Sequence, residues 1–398
     1  MAESRPVKRK RYVDYSLLVI VFFLLAFGLV MVYSTSSYSA SLDFEGDSLF
    51  YLKRQLISVA VGLLAMAVTS LIPYNIYSKL RHPALLAAVG SIMLILTPLG
   101  YTANGARRWL RFGPLSIQPA EICKIAIIIF TAALLTQMSP SIRAGWKGFW
   151  FPIVPTGIIC LMVFIISDDL SSAIIIGLIP VFMVLVSERK NIWPILILTL
   201  IVTAGVFAVL FVVKGWIPAS MSFRLERILA WLNPEAYADG KGMQILQSLY
   251  GIGSGGVWGK GLGKSMQKLG FLPEAQNDMI FSIICEELGL VGGLSVIMMF
   301  ILLLWRIRDI TAHSKDYFGN MLVSGIFIHI AIQVILNICV VTNTIPNTGI
   351  SLPFISYGGS SVIFLMAEIG IVINVGSHVR FVEEEADEQE NTYSAETD

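Results

Sequence analysis

Asp278 is the residue in this sequence whose type and position best fit acid–base chemistry. It ends a long polar connection and directly precedes an apolar stretch that begins at residue 279. A carboxylate at such a boundary is partly removed from water, which raises its pKa and makes it a candidate general base. Aspartate is also a preferred N-cap at the start of a helix, and position alone favours the cap.

Basic residues form a second candidate group. Arg107, Arg108 and Arg111 lie in the short segment 101–119, and guanidinium groups suit phosphate because they present paired N–H donors. The long connection 214–278 holds seven basic residues against five acidic ones, and its basic residues are Lys214, Arg224, Arg227, Lys241, Lys260, Lys264 and Lys268. The pattern indicates a site for an anionic group, although long loops also carry charge without such a role.

Several ionisable residues lie inside apolar stretches, where charge is costly and usually faces protein or a water-filled cavity. Glu121 and Lys124 are three residues apart and can pair on one helix face or contact a ligand. Glu286 and Glu287 follow Asp278 by about two helical turns, or about 12 Å. They could be structural partners of other residues or line the same cavity as Asp278.

Other features limit or extend these candidates. The four histidines have no metal-ligand spacing, so the sequence predicts no dedicated metal site. The glycine-rich run 251–263 favours either backbone flexibility or close approach to a ligand. Residues 343–361, NTIPNTGISLPFISYGGSS, cannot form a regular helix, and such backbone at membrane depth must be buried or line a cavity. This segment is therefore a candidate pocket wall.

Membrane-spanning helices must position these residues. Hydrophobic residues make up 56% of the chain, charged residues only 14%, and the mean hydropathy is +0.75, which excludes an ordinary soluble domain. Apolar stretches of bilayer-spanning length predict an all-α membrane protein with about ten transmembrane helices. The predicted spans are 15–34, 55–74, 83–100, 120–136, 149–167, 170–187, 193–213, 279–304, 320–341 and 360–379.

Lysine and arginine in alternate short connections predict that both termini are cytoplasmic. Residues 1–14 then form a basic cytoplasmic N-terminus, 15–380 the membrane domain, and 381–398 an acidic, disordered cytoplasmic tail. The connection 214–278 becomes a large extracytoplasmic loop between the seventh and eighth spans. A net charge of +1 with segregated charges gives no basic face for nucleic acid, so no nucleic-acid partner is expected.

Five segments of the chain resemble the SEDS family of polytopic peptidoglycan glycosyltransferases. They are GLVMVYSTSS at 28–37, GARRWLRFGPLSIQPAEICKIA at 105–126, the Asp-Leu step at 169–170, PEAQNDMIFSIICEELG at 273–289 and TGISLPFISYGGSS at 348–361. The resemblance covers nearly the whole chain and is closer to FtsW and its sporulation relatives than to RodA. One departure is SDDLS at 167–171, where the family usually has Gln-Pro-Asp-Leu-Gly, so the shape of that turn is in question.

The resemblance implies a reaction and roles for residues. Asp278 matches the family's essential external aspartate and would be the catalytic base in polymerising lipid II onto an undecaprenyl-pyrophosphate-linked glycan. Arg107 and Arg108, with Arg224 or Lys260 and Lys264, would hold the diphosphate, and a Mg or Mn ion could share that role. The expected substrate contacts also include Glu121, Lys124, Ser356, Tyr357, Gly358, Gly359 and Ser360.

The resemblance also implies a class B penicillin-binding protein and divisome proteins as partners, and a location in the cell membrane at the division septum. Two alternatives remain open at this point. The chain could be a lipid II flippase, which needs a basic cavity but no general base, or a division scaffold that has no catalysis. Asp278 discriminates these alternatives from the enzyme, because only the enzyme uses it as a base.

Overall fold

The computed structural model describes residues 14–103, 106–112, 115–188, 190–201, 203 and 223–378. Within these residues the chain is a helical bundle, which confirms the prediction of an all-α membrane protein. Eight of the described helices are long and apolar enough to cross a bilayer: α1 (Tyr15–Asp43), α2 (Phe50–Leu71), α5 (Pro119–Gln137), α7 (Trp146–Ser167), α8 (Leu170–Ser187), α12 (Ile280–Ala312), α13 (Tyr317–Val341) and α14 (Gly359–Gly376).

Shorter elements connect these helices. They are α3 (Asn75–Lys79), α4 (Arg81–Leu94), β1 (Gly100–Ala103), β2 (Ala106–Phe112), β3 (Leu115–Ile117), α6 (Pro140–Ala144), α9 (residues 193–201), α10 (Phe223–Leu232), a 3-10 turn (Glu235–Tyr237) and α11 (Lys241–Ser254). The long connection at 214–278 therefore contains helices of its own. The terminal regions predicted at 1–14 and 381–398 lie outside the described residues, apart from Asp14.

The third predicted span, 83–100, is wrong at its end. Helix α4 stops at Leu94, because Pro98 cannot donate the amide hydrogen that would continue it, and Gly100 already belongs to β1. The seventh predicted span, 193–213, is helical over 193–201, and residues 204–213 lie outside the described part of the chain. The count of ten spans therefore remains a prediction.

Helix α1 is longer than the predicted span 15–34 and continues to Asp43. Polar side chains after the apolar stretch bond back to their own helix: Thr35 Oγ1 donates to the Met31 carbonyl at 2.8 Å and Ser36 Oγ to the Val32 carbonyl at 2.6 Å. Such bonds satisfy the hydroxyls without breaking the helix. Ser34, the last residue of the predicted span, contacts Glu287 of α12.

Helices α5, α13 and α14 form the centre of the bundle, and most of their residues are buried. Helix α14 packs along α2, and α5 packs against α4, α8 and α13. By contrast, fewer than a third of the residues in the apolar stretches of α2, α7 and α12 are buried, and a bilayer would cover their exposed apolar side chains. The residues predicted to bind substrate lie mostly at the ends of the central helices and in the segments between them.

The beginning of α1 and the end of α12 meet on one face of the bundle. Asp14 caps α1 by accepting a hydrogen bond from Leu17 N at 3.0 Å, and it also accepts one from Arg306 Nη2 at 2.7 Å. Asp14 precedes α1, and Arg306 lies near the end of α12. The charge pattern assigns these two helix ends to the same side of the membrane. The ion pair therefore agrees with the predicted relative placement of the N-terminus and the α12–α13 connection.

Much of the arginine-bearing segment 101–119, together with Gly100, forms a three-stranded antiparallel sheet. Its strands follow the order β1-β2-β3, with Gly100 opposite Leu110 and Leu110 opposite Ile117. Leu110, at the centre, is buried, whereas the arginines on either side of it are not. The sheet fixes the arginines on ordered backbone next to the start of α5.

Candidate active site

Asp278 lies immediately before α12, but it does not cap this helix. The N-cap residue is Met279, and no side chain provides a capping hydrogen bond. Only 8% of Asp278 is exposed, and its Oδ1 atom has no hydrogen-bond partner among the described residues. The N-cap interpretation is therefore wrong, and the carboxylate keeps an acceptor atom that the described protein groups do not use.

The ionisation of Asp278 suits proton transfer. Burial raises the pKa of its carboxyl to about 7, and the nearby Glu274 carboxylate acts in the same direction. The Arg227 side chain opposes this rise but does not cancel it. A base with a pKa near neutral pH is available as the carboxylate and holds an accepted proton better than an ordinary aspartate does.

The irregular segment between α13 and α14 forms a wall beside Asp278. Gly349 has a φ of +72°, and a Cβ placed on it would lie 3.7 Å from Asp278 Oδ2. Tyr357 N donates to the Gln276 carbonyl at 2.9 Å, which joins this wall to the chain just before Asp278. Asn337 on α13 donates to the Asp278 carbonyl at 2.8 Å. The segment 343–358 thus covers the carboxylate on one side.

Ser356, Tyr357 and Gly358, which the resemblance assigns to substrate binding, are held to α2. Gln55 Nε2 donates to the Ser356 carbonyl at 3.3 Å, and Gly358 N donates to Gln55 Oε1 at 3.3 Å. The Tyr357 ring packs edge-on against Tyr51, with ring centres 5.0 Å apart. These contacts fix the segment, and direct contact of its residues with substrate remains a prediction.

Gly359 and Ser360 begin α14 and connect it to the sheet and to α8. Ser360 Oγ accepts a hydrogen bond from Gln118 N at 3.2 Å, and Gln118 Nε2 donates to Asp169 Oδ2 at 2.9 Å. Asp169 in turn caps α8 by accepting from Ser172 N at 3.0 Å. The family departure at 167–171 thus leaves the capping role of Asp169 intact.

Arg107 and Arg108 use part of their donors on backbone carbonyls. Arg107 Nη2 donates to the Thr97 carbonyl at 2.5 Å, in the bend that precedes β1. Arg108 reaches the end of α7, where Nε donates to the Ser167 carbonyl at 3.1 Å and Nη2 to the Asp168 carbonyl at 2.7 Å. Each guanidinium has five N–H donors, so both arginines keep donors for an anion.

The start of α8 brings the arginine sheet and the wall beside Asp278 together. Arg108 Nη2 donates to the carbonyl of Asp168. Ser171, three residues after Asp168, donates through Oγ to the carbonyl of Thr348 in the wall segment. Thr348 precedes Gly349, the residue that faces the Asp278 carboxylate. A short series of contacts therefore connects the predicted diphosphate-binding arginine with the predicted base.

Glu121 and Lys124 form an ion pair of 2.8 Å in the first turns of α5. Both side chains are buried, and Glu121 Oε2 has no hydrogen-bond partner among the described residues. The predicted pairing on one helix face is confirmed. The two opposite charges neutralise each other. Direct contact of either residue with substrate remains a prediction.

Glu286 is a structural partner of the long connection. It pairs with Lys260 Nζ at 2.7 Å and accepts hydrogen bonds from Ser265 Oγ and from Met266 N, the latter at 3.1 Å. Lys260, which the resemblance assigns to diphosphate binding, also donates to Ser254 Oγ at 2.8 Å. Its ammonium group is therefore already engaged by protein groups.

Glu287 connects α1, α12 and the long connection. Lys268 Nζ pairs with Glu287 Oε1 at 2.9 Å, and Ser34 Oγ donates to the same carboxylate at 2.8 Å. All three residues are buried. Of the two alternatives for Glu286 and Glu287, the structure supports structural pairing. The sequence placed Lys268 only among the basic residues of the long connection and Ser34 only in the segment 28–37. Neither residue carries a local pattern that points to a partner so distant in the chain.

The glycine-rich run approaches the chain's own backbone. Gly289 breaks α12 with a φ of +70°, and Lys260 N and Gly261 N donate to the carbonyls of Glu286 and Glu287 at 3.0 and 2.9 Å. A Cβ on Gly259, whose φ is +78°, would lie 2.2 Å from the Glu287 carbonyl oxygen. The glycine-rich run must therefore pack closely against backbone, and the backbone it contacts is the break in α12.

The two remaining basic candidates are less defined. Lys264 is exposed at the edge of the glycine-rich run. Arg224 lies in α10, but its side chain is outside the described part of the chain. Their roles in holding a diphosphate remain predictions.

A cavity of about 570 Å³, lined by both polar and apolar residues, adjoins the chain that leads to Asp278. Arg227 donates to the Asn347 carbonyl at 3.3 Å, and Gln244 joins Pro273 to Asn347 through hydrogen bonds of 3.3 and 2.7 Å. The cavity lies between α10, α11 and the wall segment, and its charged and aromatic lining residues are Glu226, Arg227, Tyr237 and Asp239. Its size is in the range of small-molecule sites.

The donor set near Asp278 does not fit a dedicated metal site. In the described ranges, no three histidine, cysteine, aspartate or glutamate side chains are grouped so that they could hold a metal ion. The Mg or Mn ion implied by the resemblance remains a prediction.

Residues 15–381 match the family described as cell cycle protein, which includes FtsW, RodA and SpoVE. The chain is 37% identical over 377 residues to a probable peptidoglycan glycosyltransferase FtsW of Trichlorobacter lovleyi, covering 94% of this chain and 96% of that protein. It is 36% identical to stage V sporulation protein E of Bacillus subtilis, covering 94% and 99%.

Among solved structures, the fold is similar to a chain of a peptidoglycan synthase complex that coordinates polymerization and crosslinking. The TM-score is 0.72 at 27% identity, and the match covers 92% of this chain and 97% of that chain. The break in α12, the wall segment and Asp278 all lie within the matched part of the sequence. The protein described here is a multi-pass membrane protein that belongs to the FtsW, RodA and SpoVE family of cell cycle proteins.

Proposed function

We propose that this protein is a peptidoglycan glycosyltransferase that polymerises lipid II on the outer face of the cytoplasmic membrane during cell division. The observation that carries this proposal is Asp278, a buried carboxylate with an unused acceptor atom and a pKa raised to about 7. The names of relatives that are similar over nearly the full chain support the substrate class. The helical membrane bundle suits substrates that are anchored in lipid.

In the proposed reaction, Asp278 removes the proton from the 4-hydroxyl of the acceptor GlcNAc. The hydroxyl oxygen forms a bond with the anomeric carbon of the donor MurNAc, and the bond from that carbon to undecaprenyl pyrophosphate breaks, with inversion. The leaving pyrophosphate takes the bonding electrons and needs no proton, so a single base is sufficient. The charge that develops on the sugar resembles that in glycoside hydrolysis.

The negative charge of the leaving group requires cations near its path. Arg107 and Arg108 are candidates because they lie on an ordered sheet and keep N–H donors beyond those given to backbone carbonyls. Preorganised donors of this kind contribute roughly 3 to 4 kcal/mol each in comparable sites. Lys264 is a better candidate than Lys260, because Lys260 is paired with Glu286.

We further propose that a class B penicillin-binding protein crosslinks the strands that this chain makes, with other divisome proteins present at the septum. The similarity to a chain of a peptidoglycan synthase complex supports a partner of this type. Both termini would lie in the cytoplasm, which puts Asp278 and the cavity of α10 and α11 on the opposite side. Lipid II would then reach the site from the outer leaflet.

The test is polymerisation of labelled lipid II by the purified full-length protein in complex with its class B partner. Asp278→Asn removes the base but keeps the shape of the side chain. We expect the rate of polymer formation to fall about 100-fold to 10,000-fold, the usual contribution of a general base. Full activity of Asp278→Asn would refute the catalytic role.

The matched control is Asp47→Asn. Asp47 is an exposed carboxylate between α1 and α2, paired with Lys53 at 2.9 Å, and it has no place in the proposed site. Its variant should polymerise at the wild-type rate. If the protein were a flippase, wild type and Asp278→Asn would both move lipid II across vesicle membranes and neither would form polymer. A scaffold would do neither.

A further inference from the structure

Asn337 is a fully buried asparagine near the end of α13, and its amide group connects two separate segments. Nδ2 donates one hydrogen bond to the Asp278 carbonyl at 2.8 Å and a second to the Ile350 carbonyl at 2.7 Å. Both neighbours are acceptors, so the orientation of the amide is determined: a flipped side chain would place its oxygen against two carbonyl oxygens.

The two carbonyls belong to the two sides of the candidate site. Asp278 supplies the proposed base. Ile350 directly follows Gly349, and a Cβ placed on Gly349 would lie 3.7 Å from Asp278 Oδ2. A group that holds both carbonyls fixes the separation between the carboxylate and the wall. That separation determines how closely an acceptor hydroxyl can approach the base.

Gln333, one helical turn before Asn337, contacts the wall segment without contacting Asp278. Gln333 Nε2 donates to the Ser351 carbonyl at 3.1 Å, so it holds the wall segment but makes no bond to Asp278. Asn337 is the residue among the described side chains whose donors reach both segments at once. Its function is therefore not the same as general anchoring of the wall.

We propose that Asn337 is a positioning residue that sets the distance between Asp278 and the Gly349 wall for the incoming acceptor hydroxyl. The inference rests on the proposed function, since it assigns a role in the same reaction. Asn337 does not touch the reacting atoms. It acts through the backbone of Asp278 and Ile350, and misplacement of a catalytic group by about 1 Å can reduce a rate about 100-fold.

The test compares Asn337→Leu with Asn374→Leu in lipid II polymerisation by the partner complex. Asn374 is also fully buried and joins separate helices, because Nδ2 donates to the Ser70 carbonyl at 2.7 Å and Oδ1 accepts from Tyr74 N at 2.9 Å. It contacts no residue of the candidate site. Each variant removes two buried hydrogen bonds, so the two variants should lose a similar amount of stability.

We expect Asn337→Leu to lower kcat per folded molecule by at least about tenfold with less than about a threefold change in KM. Asn374→Leu should keep kcat within about threefold of wild type. In the first variant the acidic limb of the rate profile should also move to lower pH, because a loosened Asp278 gains water while Glu274 and Arg227 remain its charged neighbours.

Equal losses of kcat in the two variants, with no movement of the acidic limb in either, would overturn the inference. If Asn337→Leu does not fold, Asn337→Asp is the second variant, because it keeps the shape and retains at most one of the two donated bonds. It should show the same kcat loss. Polymerisation by wild type and its absence in Asp278→Asn would uphold the proposed function whichever result Asn337 gives.

Discussion

Two sets of buried carboxylates at the beginning of α12 have opposite surroundings. Glu286 and Glu287 are fully buried and paired with Lys260 and Lys268 at 2.7 and 2.9 Å. Asp278, one residue before the N-cap, is buried beside Gly349 and has an oxygen without a hydrogen-bond partner among the described residues. The same type of group is thus neutralised at one place and left available at the other.

The difference separates a structural role from a chemical one. A buried charge that is paired and hydrogen-bonded holds segments together, whereas a buried carboxylate without such partners has its ionisation shifted toward neutral pH. Glu287 joins Ser34 of α1 to Lys268 of the long connection, so its loss should affect folding. Loss of Asp278 should affect the reaction instead.

Glu287→Gln should give the largest effect on stability. It leaves Lys268 buried without its ion pair, and breaking a buried pair in this way costs about 3–5 kcal/mol. The measurement is the unfolding of detergent-purified protein by heat or denaturant, together with polymerisation per folded molecule, which should stay near the wild-type value. The double variant Glu287→Gln with Lys268→Met should recover part of the loss, and no recovery would mean that the pair is not the cause.

Alanine substitutions at two glycines with positive φ should give effects of intermediate size, and the two can be compared with each other. Alanine at Gly259 should destabilise the protein strongly, because the left-handed backbone costs about 1–2 kcal/mol and the new Cβ would lie 2.2 Å from the Glu287 carbonyl oxygen. Alanine at Gly349 meets only ordinary contact distance to Asp278 Oδ2, so it should lose less stability and more kcat. Equal unfolding temperatures for the two variants would contradict the assignment of close backbone packing at Gly259.

Glu274→Gln should give the smallest effect, a change in pH dependence without loss of the maximal rate. The Glu274 carboxylate raises the pKa of Asp278, so its neutralisation lowers that pKa. The acidic limb of the polymerisation rate should therefore move to lower pH, with the plateau unchanged. A movement to higher pH would show that Glu274 does not act on Asp278 through its charge.

Much of the bundle could be predicted from the sequence, because long apolar stretches are local signals. The span 170–187 agrees with α8 at both ends, since Asp169 caps the helix and its side-chain bond to Ser172 N is local. The errors at α1 and α4 came from ends where polar or proline residues alter the helix. In α1 hydroxyls bond back to the helix, and after α4 Pro98 stops it.

The site was harder to predict, because its decisive contacts join residues far apart in the chain. Position alone favoured Asp278 as an N-cap, whereas in the structure Met279 is the N-cap and no side chain caps the helix. The resemblance assigned Lys260 to diphosphate binding, and its pairing with Glu286 could not be foreseen because Glu286 belongs to a different element. The pairing of Glu121 with Lys124, three residues apart, was by contrast predictable.

The most direct measurement of the central claim is the initial rate of lipid II polymerisation by the partner complex across a range of pH, at saturating lipid II. If Asp278 is the base, the rate should fall about tenfold per unit below its pKa of about 7 and level off above it, because only the carboxylate accepts the proton. The small residual rate of Asp278→Asn should lack this limb. A wild-type rate that stays constant from about pH 7 down to about pH 5 would contradict the account.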